Sequence, residues 1–179
     1  MIPIYLDPAI ARVALVGRGP LAERRLQWLR DAGATPDVWT DETGTTLRKT
    51  HDGWPNAADL AAYHAVWIVG LKSDDSRSFA ETGRGAGVLV NVEDVLPSCD
   101  FHTPAVVRRG KLTLAAGTGG ASPAVARAAR ERLQSAFPES WQTALDEIAT
   151  ARAELRARSA SFDELIADAR TRLAEHKLI

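Results

Sequence analysis

Residues 12–22 read RVALVGRGPLA. Arg12 to Val16 is a short apolar run of strand type that ends directly in Gly17-Arg18-Gly19-Pro20-Leu21-Ala22. From Leu21 onward, apolar residues at Leu21, Ala22, Leu26, Trp28 and Leu29 recur at helical spacing until Gly33 closes the segment. The order is strand, G-x-G-x-x-A, helix. In that setting Gly17 makes the tight turn, Gly19 lets a pyrophosphate touch backbone, and the small Ala22 lets the helix pack closely on the strand.

Outward from this stretch, TPDVW (35–39) reads as a second strand that carries the chain to Asp41 and Glu42. An acid about 20 residues beyond the glycines accepts hydrogen bonds from an adenine ribose, which favours NAD over NADP. Two further strands follow at Ala65 to Gly70 (AVWIVG) and Gly87 to Val92 (GVLVNV). Between them DDSRSFAETGRGAG reads as a helix with a frayed end. Strands alternating with helices imply an α/β, Rossmann-type doubly wound parallel sheet. Its ligand belongs at the carboxyl ends of the strands, near Gly17, Asp41, Gly70 and the Asn91 to Asp94 segment. Trp54 reads as a packing residue.

The pattern changes at Thr103. TPAVVRR and KLTLAA, joined through Gly110, read as an antiparallel hairpin. Ser122-Pro123 is a helix start, with serine at the N-cap and proline at the first helical position. The helix is expected to bury Val125, Ala129 and Leu133 and to leave Arg127 and Arg130 together on another face. Residues 101–134 carry six bases (Arg108, Arg109, Lys111, Arg127, Arg130, Arg132) against one acid, Glu131, in a chain whose net charge is -1. This basic charge flanks the Gly119-Gly120 loop, which makes an anionic ligand a reasonable expectation for Arg108, Arg109, Arg127 and Arg130. Two helices follow, roughly Trp141 to Arg158 and Phe162 to Lys177, with apolar stripes through Leu145, Ile148, Leu155, Leu165, Ile166 and Leu173. Such stripes belong to a core or to dimer contacts. The expected organisation is a dinucleotide-binding domain over 1–102, a hairpin-helix region over 103–138 and a helical region over 139–179.

Composition narrows the partners. A 179-residue chain with 45% hydrophobic and 25% charged residues is ordinary for a globular protein. Near-neutral charge points to neither nucleic acid nor a membrane surface, and no apolar run approaches the ~20 residues of a membrane span. The start lacks a basic region and has Asp7 and Pro8, so a cytoplasmic protein is expected. Cys99 stands alone, which excludes an internal disulfide and a multi-cysteine zinc cluster. With His102 it would make only a weak ligand pair. His51, His64 and His176 are scattered, so no metal site is assigned.

The stretch NVEDVLPSCDFHTPAVVRRGKLTLAAGTGGASPAVARAARERL closely resembles the central signature of the siroheme synthase N-terminal module family, the precorrin-2 dehydrogenase / sirohydrochlorin ferrochelatases. The IPIYLD lead and VALVGRGPLAERR fit the same family. The resemblance implies an NAD-binding Rossmann domain, a small α+β dimerisation region entered through the hairpin, a helical tail and a homodimer. It implies NAD-dependent oxidation of precorrin-2 to sirohydrochlorin, in some members followed by insertion of ferrous iron. The polycarboxylated tetrapyrrole would meet the basic cluster. The family's key aspartate falls on Asp94, its hydroxyl residue before the glycine pair on Thr118, and its cofactor contacts on Pro20, Leu21, Asp41 and Glu42. Departures are Arg18 in the glycine triplet, Gly70-Leu71-Lys72-Ser73 after the third strand, and His102-Thr103 after Cys99-Asp100-Phe101. They leave open an alternative, a chelatase-only or non-catalytic paralogue that binds NAD or a tetrapyrrole.

Overall fold

Val13–Gly17 forms β1, and all five of its residues are buried. A strand buried on both faces needs parallel neighbours at its edges and helices above and below. β1 pairs in parallel with β2 (Asp37–Trp39) on one side and β3 (Ala65–Val69) on the other. β4 (Leu89–Val92) adds to β3, so the order is β2-β1-β3-β4. The computed structural model describes residues 1–43, 47, 49–51 and 53–179.

Helices cover both faces. On one side α1 (Gly19–Asp31) buries Ala22, Leu26 and Leu29 against Val13, Leu15 and Trp67. Leu21 stays 39% exposed because the buried line of α1 runs through 22, 26 and 29. On the other side Leu60 of α2 (Ala57–Leu60) and Ala80 of α3 (Ser73–Gly85) meet Ala14, Val16, Val66 and Ile68. The sheet is doubly wound, and growth reverses between β1 and β3. That reversal leaves a crevice beyond their carboxyl ends, where ligands of such sheets bind.

α3 does not fray as its two glycines suggest. Gly83 is a packing requirement, since a Cβ there would stand 2.9 Å from Val90 Cγ2. The N–H groups of Ala86 and Val88 both donate to its carbonyl, at 3.1 and 3.0 Å. Packing against β4 outweighs the low helix propensity of glycine.

β4 would be an open edge without residues 99–101, which run beside it as a strap. The N–H of Asp100 donates to Val90 O at 2.7 Å, and Val90 N–H returns to Asp100 Oδ2 at 2.9 Å. Cys99 Sγ accepts from Val92 N at 3.3 Å and donates to Val92 O at 3.1 Å. Asn91 Nδ2 donates to Phe101 O at 2.8 Å, and the Phe101 ring meets Trp67 edge-on at 4.9 Å. The Cys-Asp-Phe element is thus explained by edge protection. Burial pushes the Cys99 thiol above its ordinary range.

The chain divides into two compact units, Met1–His102 and Thr103–Ile179. In the second, β5 (Ala105–Arg109) and β6 (Leu112–Ala116) form an antiparallel hairpin turning at Gly110. α4 (Pro123–Ala136) packs on it, capped by Ser122, whose Oγ accepts from Val125 N at 3.3 Å. α5 (Ser140–Ala157) and α6 (Phe162–Glu175) pack together, burying Ala144, Ala151 and Leu165. Ser161 and Glu164 form a reciprocal capping box that starts α6.

One expectation for α4 is corrected. Val125 is 58% exposed, and α4 has no fully buried residue. Its least exposed line runs through Ala126, Ala129, Arg130 and Leu133, the i, i+3, i+4, i+7 stripe, and Val125 stands off that stripe.

Candidate functional site

The glycine loop lies at the reversal point of the sheet, set low by two close approaches. A Cβ on Gly17 would fall well inside contact distance of the Val69 carbonyl, and one on Gly70 inside contact distance of the Arg18 carbonyl. Gly70 also has φ +70°, a conformation that L residues resist. Arg18 N–H donates to Val69 O at 3.1 Å and completes the link between the ends of β1 and β3. Gly70, which departs from the family pattern, is therefore fitted to the loop beside it.

Gly19 opens the first turn of α1 at φ +72°, and a Cβ there would meet nothing within 4 Å. The N-cap residue, Arg18, makes no side-chain cap, and no acid of α1 itself stands in its first turn. Pro20 takes a first-turn position where its missing N–H costs nothing. The space beside Gly19 is open, and the first-turn N–H groups and the helix dipole make this end of α1 the kind of place that receives an anion. One donor already holds an anion: Gly19 N–H bonds Glu42 Oε2 at 3.0 Å. That carboxylate oxygen stands in for a ligand's anionic oxygen, so the residues present fit a dinucleotide's pyrophosphate.

Asp41 and Glu42 both come to the loop. Asp41 Oδ2 pairs with Arg18 Nη1 at 3.0 Å. The Arg18 guanidinium lies 5.5 Å from the centroid of the Trp54 ring, which in turn packs on Phe79 at 5.5 Å. Trp54 is thus a packing residue on one partner and a platform for a cation on the other. Gly17, Gly19, Pro20, Leu21, Ala22, Asp41 and Glu42 lie together, with Ala22 buried under the loop and Leu21 at the surface. The sequence placed Gly70 at a ligand-facing strand end and marked Arg18 as a departure, but it assigned neither Arg18 nor Trp54 a place in the site; an arginine in place of a loop glycine was the available signal.

Asp94 follows β4 in an exposed turn at φ +62°. Aspartate tolerates this left-handed region better than most residues, but it is still an uncommon conformation for a residue other than glycine. Its neighbour Glu93 is pinned twice. Glu93 N–H donates to Ile68 O at 3.0 Å, and its carboxylate takes a fork from Arg25, with Nη2–Oε1 at 2.8 Å and Nε–Oε2 at 3.0 Å. A two-point fork restricts rotation as well as distance. Arg25 of α1 therefore holds the turn that carries Asp94. Its sequence signal was the Arg24-Arg25 pair after the glycine loop.

In the second unit the basic residues divide by role. Arg109 is only 8% exposed, and its guanidinium donates to Phe137 O at 2.8 Å, Arg108 O at 2.9 Å and Gln134 O at 3.3 Å. Nη1 also pairs with Glu139 at 3.1 Å. Expected on the substrate, Arg109 here ties the last turn of α4 to the hairpin through these contacts. Arg127 is exposed and pairs with Glu131 at 3.1 Å one helical turn away. Arg108 and Arg130 are half-buried. Gly119 and Gly120 have φ +65° and +83°. Thr118 Oγ1 closes their loop by accepting from Ser122 N and donating to Ser122 O, both at 3.2 Å.

The family model described as "Putative NAD(P)-binding" matches residues 4–105. The chain is similar to siroheme synthase of Nitrosococcus oceani, 32% identical over 148 residues, covering 78% of this chain and 32% of that protein. It is also similar to siroheme synthase of Xylella fastidiosa, 29% identical over 167 residues, covering 88% of this chain and 35% of that protein. The chain spans about a third of the length of the curated relatives it matches. A solved structure titled "SirC, precorrin-2 dehydrogenase" shares the fold over the whole of both chains, with a TM-score of 0.70 at 19% identity.

Proposed function

This chain belongs to the NAD(P)-binding family, in its siroheme synthase N-terminal module branch, and from that premise we propose that it oxidises precorrin-2 to sirohydrochlorin with NAD⁺. The observation that carries the reading is the first turn of α1 at Gly19, whose N–H binds a carboxylate in the crevice beyond β1 and β3. The reaction removes two electrons and two protons from the tetrapyrrole, as a hydride and a proton. NAD⁺, when bound, accepts the hydride.

This chain's own residues supply the rest. The loop from Gly17 to Ala22 seats the pyrophosphate, with Pro20 and Leu21 along it. Asp41 and Glu42 meet the adenine ribose and favour NAD⁺ over NADP⁺ by charge. Asp94 takes the proton; support comes from its exposed carboxylate on a turn fixed by Arg25 and Glu93. Arg108, Arg127 and Arg130 bind the substrate's carboxylates, and the Gly119-Gly120 loop behind Thr118 lets the macrocycle lie close to backbone.

The chain acts as a homodimer in the cytoplasm. Support for self-association is the apolar surface left exposed at Val125, Phe162 and Ile166, 42% to 69% accessible. Among the described residues no helix is long and apolar enough to cross a membrane. The test is the absorbance change of freshly made precorrin-2 with and without NAD⁺. NAD⁺-dependent formation of sirohydrochlorin supports the reading, and no change with NAD⁺ refutes it. Adding ferrous iron to the product in the same cuvette determines whether the metal is also a substrate.

A further inference from the structure

We propose that Arg18 is a latent receptor for a nucleotide 2′-phosphate, and that its ion pair with Asp41 sets how strongly this site discriminates NAD⁺ from NADP⁺. The inference rests on the cofactor reading above. Arg18 occupies the middle of Gly17-Arg18-Gly19, so its backbone belongs to the loop that faces a pyrophosphate. Its side chain points along the carboxyl ends of the strands to the acid after β2, with Nη1 3.0 Å from Asp41 Oδ2. An acid at that place is the group that meets the adenine ribose in such sheets. Arg18 therefore carries a full positive charge to the point where NAD⁺ and NADP⁺ differ.

Three features make it a receptor held in place. Trp54 lies under the guanidinium, with Cζ 5.5 Å from the ring centroid, so a cation–π contact supports it as well as the ion pair. Arg18 Nε is buried and has no hydrogen-bond partner, leaving a donor of the fork unspent. The ion pair itself is weak, because the two side chains are 37% and 42% exposed and solvent screens them. A planar fork of N–H donors matches phosphate geometry better than any other side chain. While Asp41 is charged it holds Nη1 of that fork and repels a 2′-phosphate. Without the charge at 41, the fork is available to the phosphate.

The test is calorimetric titration of NAD⁺ and NADP⁺ into wild type, Asp41→Asn and the double variant Arg18→Ala/Asp41→Asn, with thermal unfolding confirming that each is folded. Wild type should bind NAD⁺ more tightly. Asp41→Asn should bind NADP⁺ about tenfold or more tighter than wild type does, the scale of one charge-assisted contact, while NAD⁺ binds more weakly because the ribose loses its charged acceptor. The double variant should lose that gain. If Asp41→Asn shows no gain, the inference fails; if the double variant keeps the gain, it comes from loss of repulsion and Arg18 is not the receptor. Failure of wild type to bind either nucleotide would overturn the cofactor reading and this inference with it. Binding of NAD⁺ with an unchanged gain in the double variant overturns the inference alone.

Discussion

Gly19 N–H donates to the Glu42 carboxylate at 3.0 Å, across 23 residues of sequence, so the start of α1 is closed by the chain's own anion. A dinucleotide must displace this contact before its pyrophosphate can reach the same N–H. On the proposed cofactor reading, Glu42 would then be released toward the ribose.

A simple anion and the whole cofactor should respond in opposite ways to its removal. Glu42→Ala should bind inorganic pyrophosphate more tightly than wild type by a few-fold, because one competing charge-assisted bond of about 1.5–3 kcal/mol is gone and partly offset by water. NAD⁺ should not gain, since the ribose loses its acceptor. Thermal shift titrations with each ligand measure both arms. Equal pyrophosphate affinity in the two proteins would show that Glu42 does not compete at this helix start.

Gly70 should be the least replaceable residue of the loop. Alanine there combines a left-handed backbone with a Cβ driven into the Arg18 carbonyl, and the expected loss is about 2–4 kcal/mol. NAD⁺ affinity should fall as well, because the displaced carbonyl belongs to the loop. Gly85→Ala is the control: a Cβ there meets open space, and stability should change by less than about 1 kcal/mol. Urea unfolding compares them. A Gly70→Ala protein as stable as the control contradicts the packing described.

Arg109 should be required for folding of the second unit. Removing a guanidinium shared among three carbonyls and Glu139 leaves buried acceptors unpaired, at a cost of about 2–4 kcal/mol for Arg109→Met. Lysine should not rescue it, because a single ammonium cannot span Phe137 O and Arg108 O as a planar fork does. Denaturant midpoints for both variants decide this. A stable Arg109→Met with a raised Michaelis constant would return Arg109 to the substrate-binding set.

What the sequence made legible was local. The strand, glycine loop and α1 follow from adjacent residues, as do the hairpin at Gly110 and the Ser122-Pro123 helix start. The pairs that build the site are remote: Arg18 with Asp41, Gly19 with Glu42, and Arg25 with Glu93, which are 68 residues apart. Spacing brought Asp41 and Glu42 to the glycine loop as ribose acids but not as partners of Arg18 and Gly19, and nothing couples Arg25 to Glu93 until the sheet order brings strand ends together. Charge counting did not show the burial of Arg109 for a related reason. It treats every base as solvated, whereas a base next to a helix end can be consumed by carbonyls. The Cys-Asp-Phe element carried a family likeness, and its work as an edge strap appears only with β4 in place.

Cys99 should be unreactive in the folded protein. Burial raises its pKa, so the thiolate fraction at pH 8 is below that of a free cysteine, and Sγ is tied to the Val92 backbone on both sides. Alkylation by iodoacetamide at pH 8 should be at least about tenfold slower than in urea, with the rate rising as pH increases. Labelling as fast as in the unfolded chain would mean the strap is open in solution.

Asp94 is the last and most consequential case, because its backbone and its carboxylate have to be separated. At φ +62° an alanine would add backbone strain, and any loss of activity could then come from a distorted turn. Asparagine avoids this, since it tolerates the left-handed region as well as aspartate while losing the charge and the ability to take a proton. Asp94→Asn should therefore unfold at the wild-type temperature and bind NAD⁺ unchanged, while turnover falls by about 10² to 10⁴, the usual scale for loss of a general base. Arg127→Ala is the contrasting variant: a carboxylate contact made equally in ground and transition states should raise the Michaelis constant and leave turnover near wild type. Asp94→Gly completes the series by relieving the backbone without restoring the base, so it should be as inactive as asparagine. If Asp94→Asn turns over like wild type, the aspartate serves only the turn, and the proton must leave by another group.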